Sequence, residues 1–104
     1  VQATVSVMDI VQEIADQLRI ADPSLSWSNE VQFTFDREFL PGTEVRAINE
    51  GGKLHVSFVT SSTESLHLIS ANGWTIQKEL QRQLNFPVFV DLQTIEQDSG
   101  PDLP

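Results

Sequence analysis

Glu44-Val45-Arg46-Ala47-Ile48-Asn49-Glu50-Gly51-Gly52-Lys53-Leu54-His55-Val56-Ser57-Phe58-Val59-Thr60 reads as a β-hairpin. In its second arm Leu54, Val56 and Phe58 alternate with His55 and Ser57, the period of two that turns one strand face to a core and the other to water. Asn49 to Gly52 supplies the turn, because glycine takes up positive φ without a Cβ clash. Toward the N-terminus, Val31, Phe33 and Phe35 alternate with Gln32, Thr34 and Asp36, which predicts another half-buried strand. Phe39-Leu40-Pro41-Gly42-Thr43 breaks that strand with a turn before the hairpin begins.

Beyond the hairpin, Ser61-Ser62-Thr63-Glu64 matches a capping box, with Ser61 as N-cap and Glu64 reaching back. Leu66, Ile69, Gly73, Ile76, Leu80 and Leu84 then recur at helical spacing as one apolar stripe. Asn72-Gly73 admits two readings, a break between two helices or a glycine inside one helix whose cost a close sheet contact would offset. The unbroken stripe favours one helix, bent there. Asn85-Phe86-Pro87 ends it, and Val88 to Leu92 reads as the last strand.

At the other end, Val7, Ile10, Val11, Ile14 and Leu18 form an amphipathic helix with Asp9, Glu13, Asp16 and Gln17 on its polar side. Ser6 is its expected N-cap, Asp9 supports the first turn, and Asp22-Pro23 stops it. The Ser-rich linker from Pro23 to Asn29 is expected to lay Trp27 over the edge of the core. The order helix, strand, hairpin, helix, strand predicts an α+β two-layer sandwich. Its mostly antiparallel four-stranded sheet carries the long helix and the N-terminal helix, although other positions for the latter stay open. The expected organisation is one globular domain. Residues 1–29 give the N-terminal helix and linker, 30–95 the core, and 96–104 a flexible polar tail. A start at Val1 without an initiator Met suggests a piece of a longer protein.

Composition narrows the function. The 104 residues, 39% of them hydrophobic, suffice for one core. A net charge of -9 lacks the basic stripe that nucleic-acid binding needs and disfavours docking on anionic lipid. No apolar run is long enough to span a bilayer, so no membrane insertion is expected, and no signal peptide is visible. The lack of cysteine removes disulfides, thiolate metal sites and a Cys nucleophile together.

Catalytic patterns are equally thin. His55 and His67 lie outside any H-x-x-x-H or H-E-x-x-H spacing and read as surface histidines. Ser61, Ser62 and Ser65 lie near His67, yet no G-x-S-x-G elbow is present and capping accounts for Ser61. Asp36, Glu38, Glu44 and Glu50 lack the aromatic cleft that a glycosidase pair requires. Glu50-Gly51-Gly52-Lys53 precedes a strand and not a helix, so it is a turn and not a phosphate loop. The expectation is a protein without catalytic residues, metal or cofactor.

Leu40-Pro41-Gly42-Thr43-Glu44-Val45, Gly52 to Phe58, Ser65-Leu66 through Leu80 and Leu84, and Val88-Phe89-Val90 follow one another in a distinctive order. Over residues 39–92 the chain resembles the C-terminal substrate-specificity-switch domain of type III secretion needle-length regulators, the molecular rulers. The flagellar hook-length control protein is a more distant relative, with its proline and valine spaced differently from Pro41 and Val45. The resemblance implies a module downstream of an extended ruler, made in the bacterial cytoplasm and exported through the apparatus. It implies binding to the export gate, including the cytoplasmic domain of its switch protein, and a change of export from needle subunits to later substrates. Within that reading Leu40, Pro41, Gly42, Thr43, Glu44, Val45 and Arg46 are the first candidates for gate contact. Trp74, a possible helix-borne anchor, is the second. The domain is expected as a monomer. The alternative is an acidic dimeric secretion chaperone holding an effector, which needs an exposed apolar dimer face.

Overall fold

A computed structural model of the chain describes residues 6–24, 26–35, 40 and 42–94. Helix α1 spans Val7–Ala21 and strand β1 Val31–Thr34; β2, Thr43–Glu50, and β3, Lys53–Thr60, form the hairpin. Helix α2, Thr63–Leu84, and strand β4, Val88–Thr94, follow. The sheet runs β1-β2-β3-β4, the same order as the chain. The hairpin closes on Glu50 opposite Lys53, with both Gly51 and Gly52 at positive φ as its turn requires. β1 pairs antiparallel with β2, placing Phe33 opposite Val45.

β4 lies parallel to β3, with Leu54 beside Val88 and Phe58 beside Leu92. The sheet is therefore mixed: two antiparallel pairs and one parallel pair. The physical reason is α2. A helix of 22 residues returns the chain along the full length of the strand before it, so the next strand starts at the end where β3 started. β4 also runs two residues beyond the expected Leu92, to Thr94.

Both helices lie over one face of the sheet. Ile10, Val11, Ile14, Ala15 and Leu18 of α1 and Ile69, Ile76, Leu80 and Leu84 of α2 join Val45, Ala47, Leu54, Val56, Phe58 and Val88 in one buried cluster. Burying each large side chain is worth about 1.5–3 kcal/mol, the main force holding the layers together. At the helix seam, Arg19 Nη2 donates to the Gln83 carbonyl at 3.0 Å. α1 has the expected start, a full capping box between Ser6 and Asp9.

Three local expectations need correction. Trp27 is not at the core edge but inside it, fully buried, with its indole N–H donating to the Leu18 carbonyl at 3.1 Å. The N-cap of α2 is Ser62, not Ser61: Ser62 Oγ accepts from the Ser65 N–H at 3.2 Å. Ser61 is held elsewhere, its N–H donating to the Gly42 carbonyl at 3.1 Å. On the apolar stripe Leu66 is only half-buried, and Ser65 takes the buried position on that turn. Asn72-Gly73 sits inside one helix, bent at Asn72, whose backbone leaves the helical region at φ -121° and ψ 15°. The Asn72 side-chain amide donates to the Leu68 carbonyl at 2.8 Å, satisfying an acceptor at the bend. The tail expected from 96 lies outside the described residues, as do Pro41, Asp36 and Glu38.

Candidate protein-binding surfaces

The candidate turn is largely structural. Leu40 is buried in the core and so is Val45. Gly42 holds φ +68°, and a Cβ there would stand 3.1 Å from Ser61 Oγ, so glycine is required both for conformation and for space. Thr43 is buried, its Oγ1 3.0 Å from Thr60 Oγ1 in a hydroxyl pair across the strands. That leaves Glu44 and Arg46 to reach the surface, where Arg46 Nη2 donates to Glu44 Oε1 at 3.3 Å. Both side chains belong to the sheet face opposite the helices.

On that same face, register aligns Ile48, His55 and Phe89 across β2, β3 and β4. His55 and Phe89 have ring centroids 5.6 Å apart, and His55 Nε2 is 3.9 Å from Glu50 Oε1. Phe89, 45% exposed, was missed by a reading that assigned β4 as a strand without separating its two faces. Alternation would have found it, since Val88 and Val90 face the core and Phe89 lies between them.

Trp74 lies in the opposite layer, on the solvent side of α2, and is 71% exposed. Lys78, one turn on, holds its ammonium 5.0 Å from the Trp74 ring centroid. The sequence-derived candidates thus fall on two surfaces: Glu44 and Arg46 on the sheet face, Trp74 on the helix face.

The groups considered for chemistry do not converge. Ser62 caps α2, Ser65 is buried beneath it, and His67 is exposed on its first turns. Among the described residues no group of three or more His, Asp or Glu side chains is placed to hold a metal ion. A polar recess of about 590 Å³ opens beside β1, lined by Asp22, Ser24, Ser26, Ser28, Glu30 and Gln32 among others. The Asp22 carboxylate in it is already engaged by Ser24, Ser26 and the Trp27 N–H. Hydrogen bonds from the Ser24 hydroxyl and the Trp27 N–H lead in lowering its pKa from 3.8 to about 2.

The fold and these surfaces define a small α+β module with an uncovered sheet face and a tryptophan-bearing helix face. A family model of HpaP, described as a type III secretion protein, matches residues 6–95, and the chain belongs to that family. Its fold is similar to the crystal structure of the PscP SS domain, with a TM-score of 0.67 at 19% sequence identity. That likeness covers 86% of this chain and 93% of the other. No curated protein matches the chain. The resemblance read from residues 39–92 is borne out in family and in fold. No helix among the described residues is long and apolar enough to cross a membrane.

Proposed function

We propose that this domain is the protein-binding switch module of a type III secretion ruler. In this reading it acts in needle-length control and engages the export gate through the cytoplasmic domain of the gate's switch protein. That contact changes export from needle subunits to later substrates. The observation that carries the reading is the HpaP family match over residues 6–95, which spans both helices and the whole sheet. The fold shared with the PscP SS domain supports it. The domain works by contact and not by catalysis, through the exposed Arg46 and half-buried Glu44 on one side and the exposed Trp74 on the other. It is made in the bacterial cytoplasm and leaves through the apparatus, and a chain without cysteine carries no covalent staple to resist that passage.

Two measurements test this. Isothermal titration of the chain against the gate protein's cytoplasmic domain is expected to give saturable one-to-one binding. Removing residues 39–92 from the full-length protein is expected to give overlong needles and to block later substrates. Needles of normal length together with normal late export would sink the proposal.

A further inference from the structure

The two tryptophans of this chain have opposite fates. Trp27 is wholly buried with its N–H satisfied, whereas Trp74 is 71% exposed and its indole N–H donates to no described residue. The charge around Trp74 is also opposite to that of the protein. Net charge is -9, yet residues 65–78 carry no carboxylate. The solvent stripe of α2 runs His67, Ala71, Trp74, Lys78, Arg82, each three or four residues from the last and each exposed. Arg82 is paired with Glu79, but Lys78 makes no ion pair among the described residues and rests against the Trp74 ring alone.

Gly73 adds an independent observation. A helix-interior glycine costs about 1 kcal/mol relative to alanine. The expected repayment, close packing on the sheet, is not there: a Cβ at Gly73 would meet nothing within 4 Å. Gly73 is half-buried on the same side of α2 as Ile69 and Ile76, with open space where a side chain would stand, at the bend made by Asn72. Packing within the domain does not need a glycine here.

We propose that the stripe around Trp74 is a docking site for an acidic protein surface. Trp74 enters an apolar pocket of the partner, Lys78 meets a carboxylate at the pocket's rim, and the small Ala71 lets the partner's backbone come close. Complementarity fixes the occupant's sign, since the stripe from His67 to Lys78 has no carboxylate and ends on an ammonium without an ion pair among the described residues, on an otherwise acidic domain. An anionic membrane would also suit a Trp and a Lys, but the chain's net charge of -9 repels it. This deepens the proposed function, on which it rests, by naming what the helix layer's share of that contact would meet.

The test uses W74A, K78E and A71L, each checked for folding by thermal melts, with I20A on α1 as an exposed apolar control. The probe is the cytoplasmic domain of the export-gate switch protein, and the same variants in the full-length protein are scored for needle length and late export. Each stripe variant is expected to weaken gate binding about tenfold or more and to give overlong needles, with I20A unchanged. Because Trp27 is buried, the indole emission change on binding is expected to come from Trp74 and to vanish in W74A. Stripe variants that bind and export like the parent chain overturn the docking site and leave the gate reading intact. A parent chain that ignores the gate domain while the stripe variants fail in cells removes the gate as partner and keeps the site. Binding to phosphatidylserine vesicles that W74A abolishes would reassign the stripe to a membrane and overturn the proposal.

Discussion

Asp22 closes α1 and holds the next loop in one shape. Its carboxylate accepts from the Ser24 N–H and hydroxyl, the Ser26 hydroxyl and, at 2.7 Å, the Trp27 N–H. The last of these helps fix Trp27 in the left-handed region, φ 46°, from which its ring enters the core. A carboxyl held at about 2 against 3.8 binds its proton less readily in the folded chain. The stability it adds is thus full above pH 3.8 and is lost as pH falls toward 2. Urea melts of the parent chain and D22N should differ at pH 7, with D22N the weaker, and should converge as pH falls through that window. The stop at Asp22-Pro23 is legible in the sequence, but the loop's hydrogen bonds are not, since a loop has no periodicity, and Trp27 is expected there only at the core's edge. The candidate turn misled for a similar reason. The letters of Leu40 to Arg46 mark a turn and a strand start, but only the register says that Leu40 and Val45 point inward and Arg46 outward.

At the scale of elements, α2 has two duties besides filling the core. Its bend leaves Gly73 unopposed, so G73A is expected to raise stability by about 1 kcal/mol, read as a higher urea midpoint with an unchanged slope. Loss of stability instead would mean that the glycine serves the bend itself. The helix also guards the sheet. Gln81 and Gln77, one turn apart, accept from the Val88 and Val90 N–H groups at 3.1 and 3.0 Å on the outer side of β4. An uncovered strand edge is a template for another chain. Q77A/Q81A is expected to cost about 1 kcal/mol for each lost bond and to make the chain self-associate on storage, which light scattering would follow. The helices and strands themselves were legible from their spacings of three and four or of two. The direction of β4 was not, because alternation is blind to it. What decides direction is that α2, at about 33 Å, outreaches β3, and length was the clue left unused.

For the whole molecule, one core serves both layers, and the helices consume the apolar side of the sheet. Among the described residues the large exposed apolar side chains are scattered: Met8 and Ile20 on α1, Trp74 on α2, Phe89 on the sheet. Scattered side chains do not make the broad apolar face an obligate dimer needs. Static light scattering at micromolar concentration is expected to return the 11.6 kDa monomer. A tight dimer would favour a chaperone that holds an effector. Family membership could not be read from any one segment, since hairpins and Leu-rich helices are common; the order of the segments carried it.

Strand order in space follows strand order in the chain, β1 to β4, and this governs how the domain yields to force. A pull on the side of α1 peels that helix first and then always finds an outermost strand next. Drawn in against a pore rim, β1 and then β2 each leave by giving up one ladder before the next strand becomes outermost. The parallel pair β3 and β4 comes last, when the rest of the sheet has gone. Unfolding by a motor that draws the chain in from its N-terminal side is expected to proceed stepwise, strand after strand. A single rupture would mean that the core, not the ladder, sets the resistance to being drawn through a narrow channel.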